Sequence, residues 1–162
     1  MTTPSPPITS AITRTLGALA LLVVGGVHYQ QYHYDYYSAI PTIGPLFLAA
    51  FVSATALGLF LLSPVRPLRR LGRVPDQLAA VAGVGVAAGA FSALLISEQT
   101  PLFGFQEHGY RFAIVLALAA EAGVITMLSL YLWQEHGSVR RRPSASAPRS
   151  GGQSPLPPTP AP

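Results

Sequence analysis

His28, His33 and His108, with Glu98, Glu107 and Glu121, are side chains whose types and positions could bind a metal or move protons. Imidazole and carboxylate are ligands for zinc, copper and iron. The candidate metal set is His28, His108, Glu98 and Glu107, drawn from two separate stretches of chain. His28 and His33 lie about 140° apart around a helix, so a regular helix cannot turn both to one ion. A haem with two axial His would need facing helices, and only His28 borders an apolar segment. The competing reading needs no ligand. Six of the seven Tyr cluster with these His, the composition of an aromatic belt at a membrane–water boundary.

Glu121 stands apart. It sits inside an apolar run, ten residues after Arg111, about 15 Å along a helix and close to the middle of a bilayer. A carboxylate there costs at least about 2.5–3.5 kcal/mol on insertion scales. No Arg occurs at that depth, so desolvation favours the neutral acid. Ser53 and Thr55 of another apolar run are at similar depth and could hydrogen-bond it. Two roles are open: a proton-coupled or ligand-binding carboxyl, or a neutral clasp between two helices. No catalytic residue is assigned. The chain has no Cys, which excludes disulfides, thiolate nucleophiles and iron–sulfur clusters. It also lacks the G-x-S-x-G and H-E-x-x-H patterns of hydrolases.

The elements that must position these groups are read from composition. Half of the 162 residues are hydrophobic (50%) and only 10% are charged, against about a quarter in soluble domains. Mean hydropathy is +0.42. Four apolar segments stand out, at about 11–32, 44–62, 78–96 and 112–133. Each matches the roughly 20 helical residues that cross a bilayer core. They are apolar on every face, unlike the alternating strands of a barrel. The first is the least regular, because its uninterrupted core ends at Val27 and His28, Tyr29 and Gln30 follow. No small-residue cleavage site follows it, so it reads as a retained anchor and not as a signal peptide. It spans by recruiting Arg14 at one end and the Tyr-rich stretch at the other. That places His28 in the outer interfacial zone. Pro41 and Pro45 flank the start of the second segment and mark a helix start.

Arginine orients the bundle. All ten basic residues are Arg. Arg14, Arg66, Arg69, Arg70, Arg73, Arg140, Arg141, Arg142 and Arg149 fall on one side of an alternating four-span chain, and only Arg111 on the other. The positive-inside rule then puts both termini in the cytoplasm and the loops 28–43 and 97–111 outside. The expected fold is an all-α membrane protein, a four-helix up-down-up-down bundle. Small residues at i, i+4 spacing are the expected packing points: Ala50, Ala54 and Gly58; Gly85, Gly89 and Ala93; Ala113 and Ala117. They predict close contacts among spans two, three and four. Residues 1–10, rich in Pro, Ser and Thr, and 137–162, rich in Arg, Pro and Ser, are expected to be disordered, leaving 11–136 as the transmembrane domain.

The stretches GALALLVVGGVHYQQY (17–32), YSAIPTIGPLFLAAF (37–51) and LLISEQTPLFGFQEHGYRFAIVLALAAEA (94–122) resemble small four-span integral membrane proteins of high-GC Gram-positive (actinobacterial) bacteria. The resemblance implies localisation and architecture, and no activity. The leading expectation is a non-catalytic accessory or structural subunit of the plasma membrane, with no cofactor. Its partners are the lipid bilayer and a membrane protein or a second copy. Nucleic acid is not expected, because the basic excess faces anionic inner-leaflet lipid. The alternatives are a metal- or haem-binding protein with an outer His/Glu site, and a small proton-coupled transporter using Glu121.

Overall fold

The computed structural model describes residues 8–34, 37–63, 74–101, 103 and 111–140. They form four α-helices: α1 (Ile8–Tyr34), α2 (Ile43–Leu62), α3 (Val74–Gln99) and α4 (Phe112–Arg140). A short 3-10 turn, Tyr37–Ala39, separates α1 from α2, and no strand occurs among the described residues. All four helices are long and apolar enough to cross a membrane. Their outward faces carry exposed Leu19, Val23, Val52, Leu59, Val81 and Val115. Such faces suit contact with lipid chains, because hydrocarbon makes no demand for polar side chains.

The helices overrun the apolar windows at both ends. α1 begins at Ile8, inside the segment expected to be disordered, and α4 continues past residue 136 to Arg140. The reason is a set of polar contacts between helix ends. The Ser10 hydroxyl donates to Glu135 Oε1 at 2.6 Å. Arg14 Nη1 reaches Asp76 Oδ2 at 3.4 Å. Ser10, Asp76 and Glu135 are all buried there. These contacts hold the start of α1 against the end of α4 and against the first turn of α3, so ends that hydropathy alone would fray stay helical. The rest of the expected disordered segments, 1–7 and 141–162, lies outside the described residues.

The interior is built on two matching seams. On α1, Gly17, Leu21, Val24, His28 and Gln31 are buried, alternating four and three residues apart. On α4, Ile114, Ala117, Glu121, Val124, Leu128, Tyr131 and Glu135 are buried with the same alternation. This 3.5-residue period is the seam of helices that interdigitate at a shallow angle. The two seams run antiparallel, with Ser10 against Glu135 and Gly17 against Leu128. α1 also packs along α2, and α3 packs on α4, while α2 and α3 make the sparsest contact of the four neighbouring pairs.

The small-residue stripes are distributed differently from the sequence expectation. Gly58 is in close contact, but with α1: a Cβ there would lie 3.0 Å from the Ala18 carbonyl oxygen and 2.9 Å from Leu22 Cδ2. Gly25 answers it from α1, where a Cβ would lie 2.5 Å from Thr55 Oγ1. Gly85 and Gly89 are a correction. A Cβ at either meets nothing within 4 Å, so this GxxxG seats no neighbouring helix. On α3 the close position is Gly83, against Leu21 and Leu128. The tightest interfaces therefore centre on α1 rather than on spans two, three and four. Ala54 is buried in the core, and Ala113 is half-buried at the start of α4. The remaining members, Ala50, Ala93 and Ala117, line a cavity.

Candidate functional site

The seam of α1 carries His28 into the bundle, where 7% of its surface remains exposed. α1 runs to Tyr34, just past the expected end of the first segment at about 32, and the next seam position after Val24 is His28. The imidazole is held on both sides. Its Nδ1 lies 2.9 Å from the Val24 carbonyl oxygen, which can only accept, so Nδ1 carries the proton. The ring packs on Phe47 with centroids 5.1 Å apart. Nε2 is then the free acceptor, and it points to α4.

Glu121 meets it there. His28 Nε2 and Glu121 Oε1 are 3.9 Å apart, and Glu121 is 1% exposed. Its other oxygen, Oε2, is buried without a hydrogen-bond partner. The carboxyl of the fourth helix thus faces the first helix at Oε1, and its Oε2 makes no hydrogen bond to the second. Thr55 cannot serve, because its hydroxyl is turned to Gly25 of α1. Ser53 lines the same cavity as Glu121.

That cavity has a volume of about 330 Å³ and lies where α2 and α3 part. Ala49, Ala50 and Ser53 of α2 and Gly89, Ala90 and Ala93 of α3 form its side walls. His28 and Glu121 close it from α1 and α4, and Phe47, Tyr37 and Gln31 line it towards the start of α2. Leu46, Ala49 and Gly89 are exposed at its rim, so it opens sideways between α2 and α3. Small side chains make the space: neither facing stripe fills the gap it leaves.

The end of the cavity near α2 is braced by aromatic and polar contacts. Tyr37 stacks on Phe47 at 4.8 Å, and its hydroxyl accepts from Arg111 Nη2 at 2.9 Å. Gly44 permits this, because a Cβ there would lie 3.0 Å from the Tyr37 carbonyl oxygen. Thr42, just before α2, takes a left-handed φ of 71° to turn the chain into the helix. His33 stands away from the cavity, stacked on Tyr29 at 5.8 Å and edge-on to Tyr34. These rings form an aromatic cluster at the end of α1.

Of the candidate metal set, Glu107 and His108 lie outside the described residues. Glu98 is half-buried at the end of α3, with Oε1 lacking a hydrogen-bond partner. No group of three or more His, Asp or Glu suited to a metal occurs among the described residues. Sequence reasoning missed Gln31, Phe47 and Ser97 as cavity residues. A signal for Gln31 was present: the stripe Gly17–Leu21–Val24, extended by its own period, reaches His28 and then Gln31. No protein-family model, curated protein or solved structure matches this chain.

Proposed function

We propose that the chain is a non-catalytic integral protein of the plasma membrane, with four spans in up-down-up-down order and both termini cytoplasmic, that holds a small, largely apolar molecule in the cavity between α2 and α3. Four helices of membrane-spanning length and apolarity support the location. The grouping of nine of the ten Arg supports the orientation. One observation carries the binding role: a carboxyl that is 1% exposed leaves Oε2 without a partner on the wall of an otherwise mainly apolar cavity. Buried polar groups are normally satisfied, and an intramembrane carboxyl is costly. The volume of about 330 Å³ is at the small end of ligand sites. A subunit of this kind would bind, store or hand over its ligand to a membrane partner.

Native mass spectrometry of the protein in lipid nanodiscs tests this reading. The wild type is expected to release a bound small molecule distinct from the nanodisc lipid. Ala93→Leu, which fills the cavity, should lose it. The same bound species in both proteins, or none in the wild type, overturns the reading.

The 3.9 Å approach of His28 Nε2 to Glu121 Oε1 also favours a second reading, a proton-coupled transporter. An imidazole acceptor beside a carboxyl is a path for one proton. Uptake or efflux that responds to an imposed proton gradient in vesicles, and that Glu121→Gln abolishes, is its test.

A further inference from the structure

We infer that the cavity selects an amphiphilic primary amine, bound with its nitrogen between Glu121 and His28 and its apolar body between α2 and α3. The inference rests on the binding role proposed above and names the chemical class of the ligand. The α1–α4 wall carries His28, Gln31 and Glu121, and both Glu121 oxygens become acceptors once a base has taken its proton. His28 Nε2 accepts because Nδ1 donates to the Val24 carbonyl. Glu121 Oε2 is buried and unpartnered. On α3, the Ser97 hydroxyl already donates to the Leu94 carbonyl at 2.8 Å, leaving its oxygen to accept. No Arg lines the cavity, so no cation of the protein meets these groups there. An acceptor-rich, cation-free wall calls for a ligand with several N–H donors.

The geometry accommodates one nitrogen. A nitrogen about 2.9 Å from each atom bridges the 3.9 Å gap between His28 Nε2 and Glu121 Oε1, with roughly a right angle between the two bonds. A third N–H is then free for Oε2. The sideways opening, with Gly89 and Ala49 exposed at its rim, lets an amphiphile enter from the lipid as the free base. The amine lone pair then takes the carboxyl proton: the O–H bond of Glu121 breaks, an N–H bond forms, and an ammonium–carboxylate pair results. No charge has to cross the apolar rim.

The test uses the full chain in lipid nanodiscs, titrated calorimetrically with octylamine, octanol, octanoate and octyltrimethylammonium, with titrations into empty nanodiscs subtracted. Octylamine is expected to saturate at one site and to bind about tenfold or more tighter than the other three, the factor one charge-assisted contact supplies. Glu121→Gln should remove that preference. Ala93→Leu should remove saturable binding of every octyl compound. In the infrared spectrum, octylamine should convert the protonated carboxyl band of Glu121 to a carboxylate band, a readout independent of any variant's folding. Equal binding of octanol and octylamine overturns the amine inference and leaves the binding role standing. Tighter binding of octanoate, or a preference that survives Glu121→Gln, also overturns it. Absence of saturable binding by all four compounds overturns both.

Discussion

Adding one methyl group at Gly58 tests whether α1 is the helix on which the bundle is built. In Gly58→Ala the new Cβ would lie 3.0 Å from the Ala18 carbonyl oxygen, a backbone atom, and 2.9 Å from Leu22 Cδ2. The side chain can rotate away, but the carbonyl cannot, so α1 and α2 must separate by a few tenths of an ångström. Overpacking of this kind costs about 1–3 kcal/mol. Alanine also favours the helix by up to about 1 kcal/mol over glycine, which partly hides the clash. Gly85→Ala supplies the matched control. It brings the same propensity gain, and its Cβ meets nothing within 4 Å. The difference between the two variants therefore isolates the steric cost at the α1–α2 interface. Reversible unfolding in mixed micelles, followed by circular dichroism against the fraction of denaturing detergent, measures it. Gly58→Ala is expected to be less stable than Gly85→Ala by about 1–3 kcal/mol. Equal stability, or greater damage at Gly85, would show that the GxxxG of α3 seats a helix after all and would refute the packing described here.

Glu121→Gln keeps the shape of a neutral acid and should leave stability within about 0.5 kcal/mol of wild type, whereas Glu121→Ala should cost about 1–3 kcal/mol in the same assay. An infrared titration of the ligand-free protein should show the Glu121 carboxyl protonated at neutral pH; an ionised carboxylate would mean that water reaches it. Ser10→Ala removes the hydroxyl that donates to buried Glu135 at 2.6 Å and should lower stability by about 1–3 kcal/mol, with the loss read in the melting temperature. An unchanged melting temperature would show that this contact does not hold the helix ends. For orientation, a Cys replacing exposed Ser38 should be labelled by an impermeant reagent from outside intact cells, and a Cys replacing Gly137 should not. Labelling of the second but not the first would reverse the topology.

The spans were legible because membrane-crossing length and apolarity are properties of a stretch of chain. Their ends were less so. Ser10, Asp76 and Glu135 are polar, and a hydropathy window stops at them, yet they are buried against partners in other helices. The neighbour of Glu121 in α1 could not be read from the sequence. That pairing depends on the rotation of α1, which hydropathy along the chain does not report. The small-residue stripes were equally visible on α2 and α3. Only the structure shows that Gly58 meets a helix while Gly89 faces a cavity. Composition supplies the small residues and leaves open which neighbour meets them.

The contact between Ser10 and Glu135 joins residues 125 positions apart. It has a consequence for how the protein is made. During synthesis α1, α2 and α3 enter the membrane before α4 exists, so the seat that Gly17 offers to Leu128 faces lipid until the last helix arrives. Ser10 also waits without Glu135 until then. The bundle consequently closes only when the final span is inserted, and a chain truncated before Glu135 leaves a polar residue and an open helix seam at the membrane. A nascent-chain series lengthened residue by residue should stay protease-sensitive through α3 and become resistant in one step as α4 completes.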